Sequence, residues 1–295
     1  MLRPVLTFTA VLLGVGVLLA GGLPWGMLLA PANLRLGTVV PWAIIPMAIY
    51  LWAYWQYIGG AWGDRTTAAT RRENLRANAL SPDLWVRSIL AGLLGFTALL
   101  TFITVMGRLV ELPASAITTP PGMPRVTMFA LLVMASIVAG VTEEAAFRGY
   151  MQGPIERRYG LALAIFVNGT AFGLLHFPNH QNDVLLMLPY YIAVSAVYGG
   201  LTWAANSILP AIVLHAGGDV WSLGRLWTTG RPEWQLSPDT PALVWETGVD
   251  GGFLGAVAAC IVLSGLTAWA YRGISRTRID EQEGHGIHRI ESAAR

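Results

Sequence analysis

Residues 127–152 read TMFALLVMASIVAGVTEEAAFRGYMQ, an apolar run that meets two adjacent acids, Glu143 and Glu144, and then Arg148. The apolar part suits a helix in lipid, whereas the charged part is expensive there. A charged side chain at the centre of a membrane helix costs ~2.5–3.5 kcal/mol on insertion scales. Such groups are kept where they face a bundle interior and pair with one another or line a pathway. The stretch therefore predicts a membrane helix and a functional site on the same residues.

The rest of the chain is of the same kind. Of 295 residues, 54% are hydrophobic and 12% charged, and the mean hydropathy is +0.53. A soluble domain carries about a quarter charged residues. Apolar stretches of about 18 residues or more recur throughout and predict an all-α, polytopic transmembrane helical bundle of about eight spans. The expected spans are 5–24, 37–58, 86–107, 127–156, 161–177, 184–204, 207–223 and 250–272. The chain divides into residues 1–126 (three spans and an arginine-rich loop), 127–223 (a four-span core) and 224–295 (an external loop, the last span and a polar tail). Segment 59–84 reads as a polar loop and 273–295 as disordered. The first span is expected to be retained: Arg3 precedes its apolar run, but no convincing small-residue cleavage site follows.

All 19 basic residues are arginine. With eight spans, Arg3, Arg65, Arg71, Arg72, Arg76, Arg87, Arg148, Arg157, Arg158, Arg272, Arg276, Arg278, Arg289 and Arg295 fall on one side, 14 of the 19. By the positive-inside rule that side, with both termini, is cytoplasmic. The expectation is an integral protein of the plasma (inner) membrane of a bacterium. A net charge of +2 argues against nucleic acid as a partner and leaves the lipid bilayer as the surrounding one. The single cysteine, Cys260, excludes an intrachain disulfide and any cysteine-rich metal site.

Few ionisable groups fall within the spans: Glu143 and Glu144 in the fourth, His176 at the end of the fifth, and His215 with Asp219 in the seventh. If spans four and five form a hairpin centred near residue 158, Glu143 precedes that centre by about 15 residues and His176 follows by about 18. At about 1.5 Å rise per residue the offsets are ~23 and ~27 Å, so the two side chains share a depth. His215, entering near Ser207, is only ~12 Å in and would be shallower unless its span starts deep. Glu144 and Arg148 are four apart and can pair on one helix face, leaving Glu143 turned about 100° away. Phe172 and His176 share a face, as do His215 and Asp219, and Asp219 can fix the tautomer of His215.

A glutamate beside a histidine in a water-poor site can hold a water and take its proton. A second histidine opposite can stabilise the oxyanion formed when that water attacks a carbonyl. The set thus suits hydrolysis of a peptide bond in or beside the membrane. Ser136 has no lysine or other base in a nucleophile pattern. A metal alternative uses the same groups, with zinc held by His176, His215 and Glu143 or Asp219. The HExxH helix of zinc proteases is absent.

Three motifs resemble those of a known family. TEEAAFRGYMQ (142–152) matches EExxxR, AFGLLH (171–176) matches FxxxH, and HAGGD (215–219) matches HxxxN/D of the CPBP proteins, the CAAX-protease and bacteriocin-processing (Abi) membrane family. The resemblance implies an intramembrane endopeptidase related to the type II CAAX prenyl endopeptidase, acting at or near the cytoplasmic membrane face. It makes Glu143 the general base, His176 its partner on the water, Glu144 and Arg148 a supporting pair, Phe172 a supporting ring, and His215 and Asp219 the oxyanion side. Asp219 stands where the family has Asn or Asp; an ionised aspartate cannot donate to an oxyanion, so it is expected to orient His215. The family is described both as metalloproteases and as glutamate-dependent proteases, so the cofactor stays open between none and zinc. The implied partner is a peptide or membrane-protein substrate, lipidated or not. Two rival readings use the same residues: a non-catalytic immunity or assembly partner, and a proton-coupled transporter. Against the transporter stands the lack of an internal repeat.

Overall fold

A computed structural model describes residues 3–36, 39–113, 122–180, 183–236 and 242–293. Among these the chain is an all-α bundle with no strand. In chain order the helices are α1 (Arg3–Leu23), α2 (Ala30–Arg35), α3 (Ile44–Ile58), α4 (Arg65–Leu75), α5 (Pro82–Leu109), α6 (Arg125–Glu143), α7 (Gln152–Tyr159), α8 (Leu161–Leu175), α9 (Phe177–His180), α10 (Val184–Ala205), α11 (Leu209–Thr229), α12 (Val244–Thr247) and α13 (Gly251–Ala293). Two π-helical stretches, Pro24–Leu29 and Glu144–Met151, join α1 to α2 and α6 to α7. Each expected span overlaps a helix among the described residues, but the second is helical only from Ile44, and its residues 37–38 lie outside the described ones. Among the described residues, five continuous helical stretches are long and apolar enough to cross a membrane: Thr7–Arg35, Pro82–Leu109, Arg125–Tyr159, Val184–Ala205 and Gly251–Glu281.

Two expectations fail. Segment 59–84 contains α4, started by Asp64, whose carboxylate accepts from the Thr66 N–H at 2.9 Å and hydroxyl at 2.5 Å. Those donations, the hydroxyl's first, hold the Asp64 carboxyl below the usual carboxylate range. The tail expected to be disordered is helical to Ala293. Its first turns are tied to the bundle: Arg278 donates to the Ala204 carbonyl at 3.2 Å, and Ser81 donates to Glu281 at 2.8 Å. A polar composition does not by itself forbid a helix that continues a stable span.

The site depends on how α11 begins. Arg76 ends α4 with φ +54° and Asn206 ends α10 with φ +50°, and the two turns lock together. Arg76 pairs with Glu156 at 3.0 Å and donates to Asn206 Oδ1 at 3.2 Å. Ile208 N–H donates to the Arg76 carbonyl (3.0 Å), Ser207 to that of Asn78 (2.7 Å), and Asn78 to that of Asn206 (2.6 Å). Ser207 and Ile208 are consequently fully buried. The seventh expected span thus starts inside the bundle rather than at its surface, and its His215 meets both glutamates.

Candidate active site

The acidic pair stands where the helix changes type. Glu143 is the last residue of α6 and Glu144 opens the π stretch. A π stretch inserts into an α-helix at some cost and is often found at functional sites. Here Asn168 on α8, itself fully buried, donates to the Phe147 carbonyl at 2.5 Å, so a backbone acceptor within the widened turn gains a side-chain donor. The π stretch lies close against the end of α4: a Cβ added to Gly149 would come within 2.9 Å of the Asn74 carbonyl oxygen.

Glu144 and Arg148 are fully buried and paired at 3.2 Å. The guanidinium carbon lies over three rings, 5.1 Å from Phe172, 5.4 Å from Tyr198 and 5.9 Å from Phe147. Cation–π contacts of this kind gain strength when desolvated. The same Glu144 oxygen accepts from His215 Nδ1–H at 2.7 Å. The other ring nitrogen, Nε2, faces Glu143 at 3.6 Å and Asp219 at 3.7 Å, and the ring stacks on Tyr198 with centroids 5.3 Å apart and planes 11° from parallel. α11 can come this close because α6 presents Gly140, where any Cβ would lie 3.0 Å from Ala216 N.

His176 ends α8 and donates Nδ1–H to the Phe172 carbonyl at 2.8 Å, which leaves Nε2 with its lone pair outward. Its ring is bracketed by Phe172 at 4.5 Å and Tyr191 at 4.7 Å. Glu143, His176, His215 and Asp219 all line one cavity of about 270 Å³. Its walls are mostly apolar and aromatic, among them Leu99 and Ile103 from α5, Tyr191 from α10, and Trp221 from α11. The grouping offers a carboxylate and an imidazole lone pair for a water, with a second imidazole held in fixed orientation nearby.

Residues 125–221 match the family model of the type II CAAX prenyl endopeptidases, Rce1-like. This segment is Rce1-like. It covers roughly a third of the chain and contains all three motifs. The chain matches no curated protein and no solved structure. At the level of class, the match supports an integral membrane endopeptidase of the CAAX-protease kind, with a peptide or protein as its substrate.

Within the Rce1-like segment the structure revises three expectations. Glu144 is more than Arg148's partner, because it also anchors His215. The tautomer of His215 is set by Glu144 at Nδ1, while Asp219 sits on the opposite, Nε2 side. The zinc set His176, His215 and Glu143 does not form: among the described residues no group of three His, Cys, Asp or Glu side chains is placed to hold a metal. His215 is hydrogen-bonded to Glu144 through Nδ1, while its Nε2 lies 3.6 Å from Glu143 and 3.7 Å from Asp219.

Sequence reasoning also missed residues outside the segment. Glu233 and Trp234, in the strap between α11 and α12, reach back to the cavity wall. Glu233 accepts from the Tyr190 hydroxyl at 2.9 Å and from the Ser222 hydroxyl, and Trp234 donates its indole N–H to the Pro113 carbonyl at 2.6 Å. The only hint in the sequence was an acid flanked by proline and tryptophan, Pro232-Glu233-Trp234, in a loop that otherwise reads as a connector.

Proposed function

We propose that the protein hydrolyses a peptide bond within the membrane, using water activated by Glu143 and His176. Glu143 takes a proton from the water as its oxygen attacks the carbonyl carbon, and His176 Nε2 holds that water in line. The imidazolium form of His215 gives Nδ1–H to Glu144 and keeps Nε2–H for the oxyanion. As the C–N bond breaks, Glu143 returns its proton to the leaving nitrogen. Arg148 balances Glu144, so that Glu144 orients His215 without adding an uncompensated charge. Phe172 and Tyr198 carry the guanidinium on their faces, and Phe172 also orients His176. Asp219 sits beside Nε2, where it can hold an imidazolium proton between turnovers.

The observation that carries this reading is the shared cavity of about 270 Å³: a carboxylate that pairs with no arginine among the described residues and two imidazoles, each hydrogen-bonded through Nδ1, all line it. The cavity also bears on sidedness. Its lining lies towards the ends of the helices at Leu109, Val184 and Thr229, opposite the arginine-rich turns. If arginine marks the cytoplasm and both termini lie there, the reacting bond sits in the outer half of the bilayer. That differs from the expectation of cleavage at the cytoplasmic face.

The test is cleavage of a peptide library by the purified full-length protein, wild type against Glu143→Gln. Loss of at least about a thousandfold in rate, with the thermal midpoint retained, is expected for removal of a general base. Wild-type cleavage by Glu143→Gln would sink the proposal.

A further inference from the structure

One cavity residue has no part in the hydrolytic step. Glu233 comes from the strap beyond the Rce1-like segment, and nothing in bond cleavage calls for a further carboxylate. Its position is nevertheless fixed. One oxygen accepts from Tyr190, the other from Ser222, and Trp234 beside it donates to the carbonyl of Pro113, a few residues beyond the end of α5. None of the arginines in the described residues forms an ion pair with it. The nearby Arg225 is spent on the carbonyls of Gln235 and Leu236. The carboxylate is therefore held by two neutral hydroxyls in a cavity that it shares with Glu143, His176, His215 and Asp219 and whose remaining walls are mostly apolar and aromatic.

A carboxylate oxygen has two acceptor sites, and one hydroxyl uses one of them. Each Glu233 oxygen thus keeps an acceptor position. An uncompensated carboxylate in apolar surroundings is stabilised by a cation that enters with the ligand, and such a charge pair strengthens as water leaves. We propose that Glu233 is a specificity-determining residue that receives a cationic side chain, lysine or arginine, of the peptide being cut. The inference rests on the endopeptidase reading for its substrate but concerns binding, so it can fail or succeed separately.

The test uses the purified full-length protein and fluorescent peptides differing at one position, with Lys, Gln or Glu scanned across three residues on either side of the scissile bond. At one position the wild type should prefer Lys over Gln by about tenfold in kcat/KM, and Glu should be worst. In Glu233→Gln the Lys-to-Gln ratio should fall to about one, and in Glu233→Lys the Glu peptide should overtake the Lys peptide. These are ratios within each variant, so partial loss of folded protein cancels. Equal treatment of Lys, Gln and Glu at every position by the wild type would overturn the proposal, as would a Lys preference that survives in Glu233→Gln. If Glu233→Gln does not fold, the wild-type scan and its repetition with acetyl-lysine decide the matter, since neutralising the substrate cation should abolish the preference. If no peptide is cut by any form, the endopeptidase reading has failed. The same peptides are then titrated by fluorescence anisotropy, and a tenfold tighter Kd for Lys over Gln upholds the role of Glu233, whereas equal Kd values overturn it.

Discussion

Gly140 is where α6 and α11 touch, and a single methyl there separates the contact of His215 with Glu144 from everything else in the site. A Cβ at Gly140 would lie 3.0 Å from Ala216 N, 3.0 Å from Ala216 Cβ and 3.1 Å from the Ile212 carbonyl oxygen. Two of these are backbone atoms of α11, which cannot rotate out of the way. Ordinary contact begins near 3.5 Å, so α11 must retreat by roughly 0.4 Å. Overpacking of this kind costs ~1–3 kcal/mol. His215 precedes Ala216, and the same displacement carries its Nδ1, now 2.7 Å from Glu144 Oε1, to the long end of the hydrogen-bond range at about 3.1 Å. Gly140→Ala should therefore lower kcat/KM by about 10–100-fold. The thermal midpoint in detergent should fall by a few degrees. The matched control is Gly217→Ala on the same helix, where an added Cβ meets nothing within 4 Å. It should be neutral, or stabilising by up to ~1 kcal/mol through helix propensity. Wild-type kcat/KM in Gly140→Ala, or equal losses in the two variants, would refute the claim that helix approach at Gly140 sets the site.

Three further outcomes follow from buried polar groups and one surface pair. Arg148→Met strands the buried Glu144 and should destabilise by ~3–5 kcal/mol, and Arg148→Lys should recover little because a lysine cannot lay a planar cation over Phe172 and Tyr198; thermal midpoints check both. Asn168→Leu removes the donor to the Phe147 carbonyl and should cost ~1–3 kcal/mol, again read from the midpoint, with activity lost as the π turn relaxes. Asp250 ties the start of α13 to Arg108 at 2.8 Å, and that hydrogen bond holds its carboxyl below the ordinary value of 3.8. A depressed folded pKa stabilises above the unfolded value and the benefit is lost as pH falls through the depressed one. Asp250→Asn should thus melt below the wild type at about pH 7 and converge with it at about pH 2, and a gap independent of pH would contradict this.

The bundle was legible because apolar length alone separates helix from loop in lipid, and the three motifs were legible because their residues are chemically out of place there. Depth was half legible. Counting residues from the hairpin at 158 set Glu143 beside His176, and counting from Ser207 left His215 shallower unless its span starts deep; all three line one cavity. What that condition needed was not legible: the turn at 206–208 is bonded to Arg76 and Asn78, residues some 130 positions earlier, and no local pattern encodes that. Register within the motif was illegible for a similar reason. The reading of EExxxR assumed an α-helix throughout, whereas the segment from Glu144 is π-helical with Asn168 of another helix bonded to it. The helical tail was misread because composition reports solubility, not whether a preceding span propagates.

Two adjacent, chemically identical acids end in opposite environments, and this constrains how the site can vary. Glu144 has no exposed surface and is enclosed by Arg148, His215 and the rings beneath the guanidinium, so its side chain can change only together with those partners. Glu143 faces the cavity and is confined by no such cage. The cavity that Glu143 faces is lined mainly from residues 125–221, with α5 and the strap carrying Glu233 and Trp234 completing it from outside that segment. His215 is thus fixed by a buried polar cluster, while the strap is tied to the cavity wall by a few contacts, such as Trp234 on Pro113 and Glu233 on Tyr190. Changes in those elements can alter which peptide fits without disturbing His215, because none of their recorded bonds passes through Glu144 or Arg148. If Glu233 receives a cationic side chain as proposed, changes in the strap shift which peptide is preferred while the cluster around Glu144 stays as it is.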